Sequence, residues 1–141
     1  MEHYRKLERM YAAAPINQRD SPVLTVADGR AEVRQVVGEH LHHSARAMHG
    51  SVYFKMLDDA CFFAANSRVT ETFVLTARFE IDLLRPVSSG EICARAQVIK
   101  EGSRRIEAAG ELFDAEGQLV ARGAGVFVIS KMAFSPEFLY A

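Results

Sequence analysis

Lys55, Asp58 and Asp59 are the only charged residues in the otherwise apolar run from Val52 to Ala65. The run holds no Gly or Pro and is apolar all round a helical wheel, which predicts a helix enclosed by other structure. An ionised carboxylate in such a setting is costly unless it is paired. Lys55 stands four residues before Asp59 and three before Asp58, and the i,i+4 spacing favours Asp59 as its partner. Asp58 is left over. With Phe54 and Phe62 one turn away on either side, it sits in a poorly hydrated stripe where a carboxylate is a stronger base than in water. Two readings stay open: a structural carboxylate that shares Lys55 or caps a loop, and a reactive one.

Just ahead of this helix, His40, His42, His43 and His49 crowd one segment. No Asp or Glu completes a zinc-type spacing with them, so no metal is expected. Cys61 and Cys93 fall in apolar segments without paired-ligand spacing. They read as small buried hydrophobes of a reducing compartment.

The elements that position Asp58 follow from the rest of the chain. Its 141 residues, 49% of them hydrophobic, suit one globular domain spanning 1–141 with a core over about 22–130. A formal net charge of -1 gives no reason to expect nucleic acid or an anionic membrane as partner. The charged N-terminus lacks the apolar run of a secretory signal, and no stretch is long enough for a membrane span. A cytoplasmic location is the expectation.

Tyr4, Leu7, Met10, Tyr11 and Ala14 recur at helical spacing, which predicts a short amphipathic helix over 3–14 ending before Pro15. Residues 22–27 and 30–37 flank Asp28-Gly29, a tight-turn signal for a β-hairpin. Residues 38–48 show no period and read as a loop. After the helix, Phe73, Leu75, Ala77, Phe79, Ile81 and Leu83 alternate with Thr76, Arg78, Glu80 and Asp82, the period of a half-buried strand that Pro86 stops. Strands over 91–100, 104–113 and 118–130, joined by short turns, make an antiparallel meander. Leu119, Ala121, Gly123, Gly125 and Phe127 give the last strand a face of mostly small residues, where the sheet can curl or approach another backbone. The fold class is therefore α+β, an antiparallel sheet wrapped around one long helix at about 50–66, with a short N-terminal helix. On pattern alone this is close to the hotdog architecture.

His49-Gly50, Asp58 nine residues after the His, Ala60, Asn66-Ser67, and the later run Glu80-Ile-Asp-Leu-Leu-Arg-Pro86 together resemble the hotdog-fold acyl-CoA thioesterases of the phenylacetate-degradation type. The resemblance covers residues from about 38 to 130. It implies that the Gly50 backbone N–H, with Ser51 beside it, polarises a thioester carbonyl, and that Asp58 is nucleophile or general base. General chemistry agrees: a helix N-terminus offers free N–H groups and partial positive charge to an oxyanion, and a poorly hydrated carboxylate can attack or activate water. Eight residues at about 1.5 Å each separate Gly50 from Asp58 by about 12 Å, too far to serve one carbonyl. Antiparallel helices related by a two-fold axis solve this, so the reading requires a dimer with shared sites, and it allows a tetramer of paired dimers.

The family has His-Gly-Gly where this chain has His49-Gly50-Ser51, and an Asn where this chain has His43. His43 can still donate to the thioester or orient water, with its own pH dependence. Thr76 matches a family position that assists the Asp, although its alternation places it opposite Phe79 and Ile81. His49 reads either as a loop-to-helix hydrogen bonder or as a catalytic group. Tyr53, Phe54 and Phe62 are expected to line an acyl pocket, and Lys100, Arg104 and Arg105 to meet coenzyme A phosphates. Coenzyme A enters as part of the substrate, and no cofactor is expected. The rivals are a non-catalytic acyl-CoA binder, which the Ser51 and His43 substitutions favour, and a hotdog hydratase or dehydratase, whose His-based motifs are missing.

Overall fold

The computed structural model describes all of residues 1–141. Helix α1 spans Glu2–Ala13, and a 3-10 turn at Pro15–Asn17 leads into strands β1 (Val23–Ala27) and β2 (Arg30–Val36). The long helix α2 covers Gly50–Asn66, and strands β3 (Thr72–Leu83), β4 (Glu91–Glu101), β5 (Arg105–Phe113) and β6 (Leu119–Ala133) follow. A last 3-10 turn lies at Pro136–Phe138. The hairpin turns where expected, with Gly29 at φ 69. The 38–48 loop holds one 3-10 turn, Glu39–Leu41, and an isolated bridge between His42 and Met48.

All six strands form one antiparallel sheet in the order β1-β2-β4-β5-β6-β3. Only β3 is displaced from its sequence neighbours. The chain leaves β2 on one side, runs along α2, and enters β3 at the opposite edge, so the helix spans the sheet it packs against. Met56, Leu57, Ala60, Cys61, Ala64 and Ala65 of α2 are fully buried against Val33, Ile92, Ala94, Ala108, Leu112 and Phe127. Each large side chain buried in this way stabilises the fold by about 1.5–3 kcal/mol.

Both ends of α2 are tied down by polar groups. At the N-terminus His49 is the cap: its Nδ1 accepts the Ser51 N–H at 3.0 Å, satisfying one orphan donor of the first turn. At the C-terminus the buried Asn66 accepts the Val74 N–H at 2.9 Å and donates to the Val69 and Thr72 carbonyls. Ser67 accepts the Gly29 N–H at 2.8 Å and donates to the Ala64 carbonyl. Asn66 and Ser67 thus join the helix to β3 and to the first hairpin.

Two sequence expectations change. The helix is not enclosed on every side. Ser51 and Phe54 are exposed, and Lys55, Asp58, Asp59 and Phe62 are half-buried, because the sheet covers one face and α1 only part of the other. The strict alternation of β3 also fails. A bulge between Thr76 and Arg78 inserts Ala77 and reverses the phase of the strand. Val74 and Thr76 face the helix before it; Phe79, Ile81 and Leu83 face it after.

The small residues of β6 make room for both a side chain and a neighbouring backbone. A Cβ on Gly123 would lie 2.6 Å from the Phe79 ring and 2.8 Å from the Glu80 carbonyl oxygen, and one on Gly125 2.7 Å from the Phe79 ring. Phe79 therefore lies on the strand and meets Phe54 edge-on, ring centroids 5.4 Å apart.

Candidate active site

The open stripe of α2 forms the floor of a groove of about 840 Å³. Phe54, Asp58 and Phe62 come from the helix, Phe73, Leu75 and Thr76 from β3, Tyr11 and Ile16 from the N-terminal elements, and Phe138 and Leu139 from the C-terminal turn. Most of the lining is apolar; among its polar groups Lys55, Asn17 and Tyr11 gather around Asp59, and Thr76 meets Asp58.

Asp59 and Lys55 belong to a closed network. Lys55 Nζ donates to Asp59 Oδ2 at 2.7 Å, to Asn17 Oδ1 at 2.8 Å and to the Tyr11 hydroxyl at 3.3 Å. That uses all three ammonium donors. Tyr11 donates in turn to Asp59 Oδ2 at 2.7 Å, and burial together with Asp59 holds its phenol protonated far above the usual range. The network fastens α1 and the 15–17 turn to α2.

Asp58 stands outside it. Its hydrogen bond within the chain comes from Thr76 Oγ1, 2.9 Å from Oδ1. Burial is the main influence on the carboxyl and raises it from 3.8 to about 6; Asp59 also raises it, while the Thr76 bond and Lys55 oppose the shift. At neutral pH such a group is mostly ionised yet able to hold a proton, the state a general base needs. Cys61, on the same helix, is no rival nucleophile: burial pushes its thiol up to about 12.

Gly50 lies in a different cavity, of about 280 Å³, lined with His43, Tyr53, Leu83, Arg85 and Pro86 among others. The Ser51 N–H is taken by His49, and the Val52 N–H bonds the His49 carbonyl. The Gly50 N–H finds no acceptor in the chain. Ser51 Oγ lies 2.8 Å from His49 Nδ1, so both groups of Ser51 are drawn toward the cap and Gly50 alone offers its amide.

The remaining candidates separate accordingly. Phe54, Phe62, Thr76 and Ser51 line the Asp58 groove. Tyr53, expected there, is turned about 100° round the helix from Phe54; it is buried, donates to the Arg85 carbonyl at 2.8 Å, and lines the Gly50 cavity instead. His43 reaches the Gly50 cavity, where its Nδ1 accepts the Ala45 N–H at 3.1 Å. Lys100, Arg104 and Arg105 line neither cavity. Arg105 precedes the buried Ile106 on β5 and so faces away from the helix, and Lys100 lies 3.9 Å from Glu107. The loop histidines have separate bonds, His40 to Asp20 and His42 Nε2 to the Ser88 carbonyl at 2.7 Å.

Sequence reasoning missed Tyr11, Ile16, Phe138 and Leu139 as walls of the groove. The apolar C-terminal tail, which had no other role, was the available signal. No helix is long and apolar enough to cross a membrane.

The model of the family described as the thioesterase superfamily matches residues 46–121, just over half of the chain. A Saccharolobus solfataricus protein with a provisional esterase name is 26% identical over 101 residues, 72% of this chain and 67% of the relative. A conserved Pseudomonas aeruginosa protein of known structure is 27% identical with a TM-score of 0.80, over 86% of this chain and 98% of that one. The Escherichia coli PaaI protein from the phenylacetic acid degradation operon has a TM-score of 0.86 at 20% identity, over 95% of this chain and 97% of that one. At that identity it speaks for the fold, the six-stranded antiparallel sheet with its long helix.

Proposed function

The chain belongs to the thioesterase superfamily, and we propose that it hydrolyses an acyl-CoA or related acyl thioester to free acid and thiol, at sites shared between two protomers. The observation that carries this reading is Asp58: a carboxyl near pKa 6, held by one hydroxyl, at the side of an apolar groove.

In the reaction, the Asp58 carboxylate takes a proton from water as the water oxygen bonds to the thioester carbon. The oxygen that becomes negative meets a Gly50 N–H at the helix N-terminus, where donors and dipole favour it. As the C–S bond breaks, the proton passes from Asp58 to the departing sulfur. The same carboxylate attacking the carbonyl itself would expel the thiolate and give an acyl-Asp58 anhydride; label found on Asp58 after a single turnover in 18O water identifies an anhydride opened at the Asp58 carboxyl carbon, because the general-base route breaks no Asp58 C–O bond.

Asp58 and Gly50 line separate cavities of one protomer, about 12 Å apart along the helix. A second copy supplies the missing half of each site. Strand β3 supports that partner: it is a free sheet edge of 12 residues carrying exposed Leu75 and Leu83, and unpaired strand edges accept another strand. Pairing β3 with its two-fold mate extends the sheet and lays the two α2 helices antiparallel.

The test is thiol release from short, medium, long and aryl acyl-CoAs, with wild type and Asp58→Asn compared at matched oligomeric state. Turnover that collapses in a still-dimeric variant supports the reading. Binding without turnover, or an unaffected variant, leaves an acyl-CoA-binding protein in its place.

A further inference from the structure

Residues 135–140 fold back over the open side of the Asp58 groove. Pro136–Phe138 make one 3-10 turn, and Leu139 closes it at φ 68, a left-handed conformation that a branched, bulky residue rarely adopts. The surroundings impose it. The Tyr140 N–H bonds the Ser135 carbonyl at 3.2 Å, and the Tyr140 ring stacks on Phe134 with centroids 4.3 Å apart. The Tyr140 hydroxyl lies 2.7 Å from Nδ1 of the buried His3, whose Nε2 lies 2.9 Å from the Asn66 carbonyl at the end of α2. A carbonyl only accepts, so Nε2 carries the proton in neutral His3 and Tyr140 donates to Nδ1. The tail is thus fastened at both ends, and the residues between its anchors that reach the groove are Phe138 and Leu139.

We propose that Phe138 and Leu139 form the distal wall of the acyl groove and set the length of acyl chain accepted, with His3 and Tyr140 as the latch that positions them. This rests on Asp58 marking the thioester end of that groove. Thr76, bonded to Asp58, is three strand residues from Phe73, and Phe138 meets Phe73 edge-on with centroids 5.9 Å apart. Three residues of strand span roughly 10 Å, room for an acyl chain of roughly six to eight carbons before the wall. The wall blocks longer chains by shape and shelters shorter ones from water.

The experiment measures kcat and KM for hexanoyl-CoA and dodecanoyl-CoA with wild type, Phe138→Ala, Leu139→Gly and Tyr140→Phe. Glycine suits the positive φ at 139, so that variant removes the side chain without threatening the turn. The expected result is a rise of about tenfold or more in the dodecanoyl-to-hexanoyl ratio of kcat/KM for Phe138→Ala and Leu139→Gly. Tyr140→Phe, which keeps the stack and loses the latch, moves the ratio the same way through KM while kcat on hexanoyl-CoA holds. An unchanged ratio in all three variants overturns the proposal. Should wild type release no thiol from any acyl-CoA, the hydrolase reading fails separately. The same variants then bind hexyl and dodecyl thioether analogues of coenzyme A in calorimetry, where an unchanged ratio of dissociation constants overturns the wall and a changed one supports it.

Discussion

Thr76 Oγ1 reaches Asp58 Oδ1 at 2.9 Å across the seam between β3 and α2, and it does so because the bulge at Ala77 turns the first part of β3 onto the opposite phase from the second. The bond stabilises the ionised carboxylate against the burial that raises it. Thr76→Val removes that support, so the Asp58 carboxyl moves further up. Activity that needs the carboxylate rises with pH, and its acidic limb shifts to higher pH in the variant. At pH 6, where about half of the wild-type carboxyl is ionised, the rate should fall roughly sevenfold, as the loss of one hydrogen bond to a charged group at about 1.5 kcal/mol implies. Thr76→Ser should restore both limb and rate; a pH profile identical in all three proteins would remove Thr76 from the site.

Asp58 should also destabilise the protein at neutral pH. Its carboxyl lies at about 6 when folded against an ordinary 3.8, so between these values the folded state binds more protons than the unfolded one, and stability falls as pH rises through the window. Asp58→Asn has no charge to bury. Allowing for solvent screening of the half-buried group, the variant should be about 1–2 kcal/mol more stable at pH 7.5 and should lose that advantage near pH 4. Urea unfolding at fixed protomer concentration at both pH values measures this. An advantage that persists unchanged at pH 4 would mean that the gain is not electrostatic.

Lys55→Met separates the structural aspartate from the reactive one. The side chains of Lys55 and Asp59 keep 26% and 20% exposure, so removal of the lysine should cost about 2 kcal/mol, below the loss for a fully buried pair. It should also move the acidic limb of activity upward, because Lys55 lowers the Asp58 carboxyl. The double variant with Asp59→Asn should recover most of the stability and return the limb toward wild type, since Asp59 acts in the opposite direction. A double-mutant cycle reads the stability coupling directly.

The main elements and the pairing of Lys55 with Asp59 were legible because they rest on local rules: helical period, i,i+4 spacing, turn residues and the Asp28-Gly29 hairpin. The reach of Thr76 was not. Thr76-Ala77-Arg78 contains no Gly or Pro to announce a bulge, and the extra residue is defined by the pairing with β6, a contact about fifty positions away in sequence. The open stripe of α2 was hidden for a related reason. Phe54 and Phe62 are as apolar as the core residues beside them, and hydropathy does not distinguish a side chain facing packed protein from one lining a groove. Tyr53 and Phe54 parted because the helix turns them toward different cavities.

The shared site makes the strictest demand on the geometry, and Gly50 is where it can be tested cleanly. A proline at the first helical position removes only an N–H that has no intrahelical partner, and His49 already has the extended backbone that precedes a proline, with φ -62 and ψ 145. Gly50→Pro should therefore keep the fold and lose about a hundredfold or more in kcat, the loss expected for one oxyanion donor. Gly50→Ala is the control that retains the N–H, since its Cβ would meet Leu83 Cδ1 at 3.4 Å. Mixing Gly50→Pro with Asp58→Asn protomers, each nearly inactive alone, creates hybrid dimers. In each hybrid one site has Asp58 and the Gly50 N–H intact, and the other has neither. Random pairing makes half the dimers hybrid, so after unfolding and co-refolding the mixture should regain about a quarter of wild-type activity. If Asp58 and Gly50 of the same protomer served one site, no hybrid would contain an intact pair and the mixture would stay as inactive as its parents.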